Sequence, residues 1–177
     1  MEYISTRNTQ KTFSFKDVFL KGLAPDGGLF VPKKIPLYNS QELKKLRNLS
    51  YNELATRIIL KFCSDKFNEA EIKNLVNASY KNFRVKDVVT IKKLGKMNLL
   101  ELFHGPTLAF KDIAMQVIGN MHEKILEKNK LKINIVVATS GDTGAAAISA
   151  IRDRKNIKIF VLHPDNKISE VQRKFMT

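Results

Sequence analysis

The sequence predicts an α/β protein, with a small, mainly helical N-terminal domain over residues 1–84 and an incomplete parallel-sheet domain over residues 85–177. Two observations carry this prediction. Between Ser40 and Phe83 apolar residues recur every three to four positions, the period of a helix that buries one face. After Phe83 short β-prone runs alternate with helical stretches, the pattern of a βαβ unit, whose strands must lie parallel because the connecting helix returns the chain to the same edge.

In chain order, Tyr3-Ile4-Ser5 reads as a short strand. Ser14, three residues ahead of Asp17, is an N-terminal cap for a helix ending near Gly22. Ala24-Pro25-Asp26-Gly27-Gly28 follows as a turn whose paired glycines permit positive φ, and Leu29-Phe30-Val31 is a brief extended segment before Pro32. Three helices are expected next. They carry Leu43, Leu46 and Leu49, then Leu54, Ile58, Ile59 and Phe62, then Ile72, Leu75, Val76 and Tyr80, with Ser50/Glu53 and Asn68/Glu71 as capping pairs. Strands are predicted at 88–91 and 99–103 around Gly95, and a helix at 110–128 with Ile113, Val117, Met121 and Ile125 on one face. A strand at 133–138, a helix at 144–153 and a buried strand at 157–162 complete the βαβ unit. Ser169 caps a last helix that meets Thr177 without a closing signal, and two parallel strands leave edges and faces uncovered, so the chain reads as truncated at its C-terminal side.

Charge and composition narrow the function. Thirty-one Lys and Arg against 17 Asp and Glu give a net +14, but the excess is spread along the chain and only 7 of the 31 are Arg, the residue suited to bidentate phosphate and base contacts. A lysine-rich solvated surface is expected, and no nucleic-acid partner. The one cysteine cannot form an internal disulfide, and His104, His122 and His163 stand too far apart for the spacing of a metal site. No apolar run approaches the roughly 20 residues of a membrane span, and the start lacks a signal-peptide core. A reduced, cytoplasmic setting without membrane attachment is the expectation.

Two loops carry the chemistry. In ELFHGPTLAFKD, Glu101 to Asp112, Lys111 lies at the start of a helix among Leu108, Phe110, Ile113 and Met115. A helix N-terminus and an apolar setting both disfavour a cation, which leaves a free amine able to attack a carbonyl, although a lysine there can also snorkel to water. The second loop, ATSGDTG from Ala138 to Gly144, joins a strand to a helix. Its small residues, backbone N–H groups and the hydroxyls of Thr139, Ser140 and Thr143 suit a carboxylate or a phosphate, and equally suit a plain helix cap. No Gly-Lys-[Ser/Thr] follows, which excludes a nucleotide P-loop, and the lack of G-x-G-x-x-G argues against a dinucleotide.

FHGPTLAFKD, followed after the next helix by ATSGDTG, resembles the threonine synthase family, pyridoxal-phosphate enzymes of the tryptophan-synthase-β-like fold, fold type II. ISTR, Ile4 to Arg7, and GLAPDGGLFVP, Gly22 to Pro32, resemble the N-terminal domain of the same family. The resemblance implies a carbon–oxygen lyase of threonine biosynthesis that converts O-phospho-L-homoserine and water to L-threonine and phosphate. It implies that Lys111 carries pyridoxal 5'-phosphate and serves as proton shuttle. His104, Thr107 and Phe110 match the flanking cofactor positions, and Ser140, Gly141, Asp142, Thr143 and Gly144 match the loop that binds the amino-acid part of the substrate. For His104 a purely structural role is an equal reading. Members of the family are much longer, and their groups for the cofactor phosphate and pyridine nitrogen correspond to positions after Thr177, so the isolated chain is not expected to turn over substrate. The alternatives are another lyase of this fold, such as a serine or threonine dehydratase, and a non-catalytic binding remnant; GLAPDGGLFVP favours the synthase.

Overall fold

The computed structural model describes residues 1–165 and 167–177 and is α/β. It divides into two compact units, Met1–Val76 and Asn77–Thr177.

In the first unit, strand β1 (Tyr3–Ser5) runs between β2 (Thr12–Phe13) and β3 (Phe30–Pro32), antiparallel to both, with Tyr3 opposite Phe13 and Ile4 opposite Val31. Helix α1 (Phe15–Lys21) starts where Ser14 accepts the Asp17 N–H and stops at Gly22, whose φ of 72° is open to glycine without a side-chain clash. The unit also holds α2 (Ser40–Leu46), α3 (Tyr51–Cys63) and most of α4 (Glu69–Tyr80). The anticipated pairs Ser50/Glu53 and Asn68/Glu71 form, and Asn39 with Glu42 adds a third, unanticipated capping box. Tyr3, Phe15, Val18, Cys63, Phe67, Ile72 and Val76 make the core, in which each large apolar side chain contributes about 1.5–3 kcal/mol. Two hydrogen bonds tie it across the sequence, Tyr3 Oη to the Phe62 carbonyl at 2.6 Å and the Phe15 N–H to Asp65 at 2.9 Å. Burial raises the Cys63 thiol to about 12, so it packs as a small apolar group. Leu43 and Ile58, assigned to buried faces by their spacing, are instead exposed: α2 buries no residue at all.

The second unit begins with the end of α4, where the Tyr80 hydroxyl donates to the Ile113 carbonyl at 3.1 Å and Asn120 donates to Ser79 at 2.8 Å. Strands β4 (Thr90–Leu94) and β5 (Met97–Glu101) form an antiparallel hairpin turning at Gly95, φ 60°. β4 starts later than the predicted 88–91 because Val88 takes a φ of 63° and is buried, which ends extended backbone there. Next come α5 (Asp112–Asn129), β6 (Ile133–Ala138), α6 (Asp142–Ile151), β7 (Ile157–Leu162) and α7 (Glu170–Met176). β6 and β7 pair in parallel from Ile133 opposite Ile157 to Ala138 opposite Leu162. Val117, Met121 and Ile125 of α5 are buried, as are Ala145, Ala146, Ala147, Ala150 and Ile151 of α6. The other face of the strand pair, with Val136, Phe160 and Leu162, is open. α6 lies two residues ahead of the predicted 144–153: Gly141 rather than Gly144 precedes it, and Asp153 at φ 63° follows its end. Among the described residues no helix is long and apolar enough to cross a membrane.

Candidate functional site

The site residues all lie in the second unit, on the segments that enter α5 and α6. Those two helices run in the same direction. Gln116 donates to Ser149 at 3.2 Å, and after the end of α6 Arg154 donates to Asn120 at 3.0 Å and Asn156 to Glu123 at 2.9 Å, so positions rise together along both segments. Their N-termini therefore share one end, which brings Lys111 and the 138–144 loop to the same end of the helix pair. Gly119 makes the close approach possible, since a Cβ there would stand 2.6 Å from the Ala150 carbonyl oxygen.

Lys111 immediately precedes α5 with helical φ and ψ, and its Nζ lies 4.4 Å from the centre of the exposed Phe110 ring. Among the described residues no carboxylate pairs with it. Both the N–H and the hydroxyl of Thr107 donate to Asp112, at 2.7 and 2.8 Å. His104 is turned toward the hairpin root, where Nε2 lies 3.0 Å from the Thr90 hydroxyl and 3.3 Å from Glu101. The same carboxylate receives Lys92 at 2.8 Å and the Thr90 hydroxyl at 2.5 Å, and these partners hold Glu101 below the usual carboxylate range. His104 thus belongs to a polar network that joins β4, β5 and the lysine loop.

In the second loop Thr139 does the capping. Its hydroxyl oxygen accepts the Gly141 and Gly144 N–H groups, each at 3.2 Å, and its own N–H donates to the Leu162 carbonyl at 2.9 Å. The Ala145 N–H returns to the Gly141 carbonyl at 3.1 Å. Those of Asp142 and Thr143, in the first turn, have no intrahelical acceptor. The hydroxyls of Ser140 and Thr143 have no hydrogen-bond partner among the described residues. Gly141 and Gly144 are closely covered: added Cβ atoms would strike Gln172 and Met176 of α7. Sequence reasoning missed Asp112 and Glu101 as supporting groups. Each is an acid beside a segment boundary, where a solvated charge is the ordinary expectation, and the partner that reveals Asp112 sits five residues back, outside any capping spacing.

Residues 2–80 match a family profile described as threonine synthase N terminus. Over its full length the chain is 44% identical to threonine synthase of Pseudomonas aeruginosa, of which it covers 38%. It superposes with a TM-score of 0.94 on pyridoxal-phosphate-bound threonine synthase from Brucella melitensis, at 40% identity, covering all of this chain and 38% of that one. For yeast threonine synthase the TM-score is 0.93 at 38% identity, again over 38% of that chain. The chain spans little more than a third of the length of the relatives it matches. By sequence and by fold it resembles the N-terminal portion of threonine synthases.

Proposed function

We propose that this chain is the N-terminal portion of a threonine synthase, a pyridoxal-phosphate-dependent lyase that forms L-threonine and phosphate from O-phospho-L-homoserine and water. Residues 1–84 are the family's N-terminal domain and residues 85–177 the start of its cofactor domain. The observation that carries the proposal is the common placement of two groups of opposite use, the amine of Lys111 and the anion-accepting loop at 138–144, at one end of the parallel helices α5 and α6.

The donor set suits the cofactor and an anionic amino acid. Lys111 offers a primary amine without a carboxylate partner among the described residues, resting on a flat aromatic face. The cofactor, when bound, supplies an aldehyde for that amine and an electron sink for a carbanion. Lys111 would hold it covalently and afterwards carry a proton at Nζ. Phe110 flanks it with an apolar surface. His104 and Thr107 support it from behind, through the Thr90–Glu101 network and through Asp112 respectively. In the 140–144 loop the hydroxyls of Ser140 and Thr143 and the open N–H groups of Asp142 and Thr143 bind the substrate's anionic group, while Gly141 and Gly144, whose N–H groups Thr139 holds, shape the turn that presents them. The reduced setting suggested by the single buried cysteine suits a cytoplasmic biosynthetic enzyme.

Reductive trapping tests this reading. The protein as its gene encodes it is mixed with pyridoxal phosphate, reduced with borohydride and mapped by peptide mass. The pyridoxyl group is expected on Lys111, lost completely in Lys111→Ala, together with phosphate release from O-phosphohomoserine by the unsubstituted protein. A full-strength adduct on another lysine sinks the assignment.

A further inference from the structure

We propose that Asp112 is the positioning residue of Lys111: its buried carboxylate, acting through Thr107, fixes the turn on which the lysine stands. The inference rests on the reading of Lys111 given above.

Asp112 is fully buried, at 0% exposure, and among the described residues no other charged side chain is buried so completely. Burying a carboxylate is costly unless its oxygens find donors. Both do, and both donors belong to one residue: Oδ2 takes the Thr107 N–H and Oδ1 the Thr107 hydroxyl. Bonds to an ionised acceptor are the stronger kind. Gly105 faces the same carboxylate so closely that a Cβ would stand 2.8 Å from Asp112 Cγ. The segment between is a tight reversal. The Leu108 N–H donates to the Gly105 carbonyl at 3.2 Å and the Asp112 N–H to the Ala109 carbonyl at 3.0 Å. At its apex Leu108, a half-exposed residue, holds a φ of 63°, in the left-handed region that costs a residue with a Cβ on the order of 1–2 kcal/mol. Burial of Leu108 does not explain that conformation. Such a residue persists where the surroundings over-determine it, and the clamp between Asp112 and Thr107 does so. Lys111 lies directly between the strained apex and the buried acid. Freeing the clamp lets Leu108 relax and moves the backbone of Phe110 and Lys111 with it.

The experiment needs no cofactor. Reductive methylation with carbon-13 formaldehyde labels the lysines, and Lys111→Arg identifies the Lys111 signal. Because Nζ lies 4.4 Å from the Phe110 ring centre, that signal carries a ring-current displacement from those of the exposed lysines. Asp112→Ala is expected to move it at least halfway back. Asp112→Asn should keep it in place, since an amide can accept the Thr107 N–H and donate to the Thr107 oxygen, so geometry rather than charge is what the residue supplies. In parallel, the rate of pyridoxal-phosphate trapping at Lys111 should fall about tenfold or more in Asp112→Ala, as misplacement of a reacting group by an ångström is felt at that scale. A folded Asp112→Ala with the wild-type Lys111 signal overturns the proposal. Should that variant not fold, Thr107→Val decides by the same signal: displacement supports the clamp and no displacement overturns it. Absence of any Lys111 adduct in the unsubstituted protein counts against the proposed function alone, because the methyl signal reports the position of Lys111 without it.

Discussion

Two turns of this molecule are built from the same residue types and do different things with them. In the first unit, residues 5–7 meet residues 26–29: the Ser5 hydroxyl donates to Asp26 at 2.7 Å, the Gly28 N–H to the same oxygen at 2.9 Å, and the Arg7 N–H to Ser5 at 3.1 Å. Thr6 and Leu29 exchange two more bonds, at 2.9 and 3.0 Å. In the second unit, the 138–144 loop also has hydroxyls, an aspartate and two glycines, yet Thr139 alone holds the turn, and the Ser140 and Thr143 hydroxyls are left over. Hydrogen-bond accounting distinguishes the two turns. A motif whose polar groups satisfy each other maintains the fold, and a motif with a surplus at a helix entrance can receive a ligand.

The largest effect on stability is expected where the accounting is complete. A Cβ at Gly28 would overlap the buried Ser5 hydroxyl and stand 3.0 Å from both Asp26 Oδ1 and Thr6 Oγ1. Gly28→Ala should therefore destabilise the first unit by about 3 kcal/mol, in the upper part of the range for overpacking. The measurement is the denaturant midpoint followed by hydrogen exchange in β1 and β3. Trapping of Lys111 under native conditions should be unchanged. Retained stability would show that the 5–7 and 26–29 segments are not locked together.

Much of this was legible in the sequence because it is local. Ser14/Asp17, Ser50/Glu53 and Asn68/Glu71 announce helix starts within four residues, and the alternation after Phe83 announces the parallel pair β6 and β7. What was hidden depends on contacts between distant residues or on backbone conformation. Val88 looks like a strand residue and is one by propensity, but its buried position at φ 63° overrides that. Leu43 has helical spacing with Leu46, yet it is exposed and α2 buries no residue. Lys111 and the 138–144 loop are candidates by residue type alone, whereas the mutual locking of ISTR with APDGG, and of Thr107 with Asp112, appears only when the chain is folded.

Acid distinguishes the two units next. His122 of α5 is buried, and burial, with the nearby Arg154 charge second, depresses it from 6.5 to about 4. Between those values the unfolded chain binds more protons than the folded one, so the stability of the second unit falls as pH falls from 6.5 toward 4. At pH 5 the loss is about 2 kcal/mol. All three histidines lie at or beyond position 104, so the first unit has none. Its Asp26 is held below 3.8 by the Ser5 hydroxyl and then the Gly28 N–H, and the stabilisation this provides is present above 3.8 and lost only as pH falls through the lowered value. At pH 5, hydrogen exchange corrected for intrinsic rates should show α5 losing protection while β1 and β3 keep theirs. His122→Met should flatten the response. Equal losses in both units would contradict it.

The smallest stability effect sharpens the comparison most, because it divides neighbouring hydroxyls of one loop. Thr139→Val preserves shape and removes the oxygen that accepts the Gly141 and Gly144 N–H groups, so it should cost about 1 kcal/mol, the scale of a lost helix cap. Ser140→Ala removes an exposed hydroxyl with no partner among the described residues and should stay within about 0.5 kcal/mol of the unsubstituted protein. Substrate binding should rank differently. If Ser140 donates to the substrate's anionic group, its removal weakens binding or turnover of O-phosphohomoserine by about 1–3 kcal/mol and leaves pyridoxal-phosphate trapping at Lys111 intact. Thermal denaturation and substrate titration of the two variants side by side make the check. Unaltered kinetics in Ser140→Ala would reduce the 138–144 loop to a second scaffold turn, built with fewer bonds than the first but serving the same end.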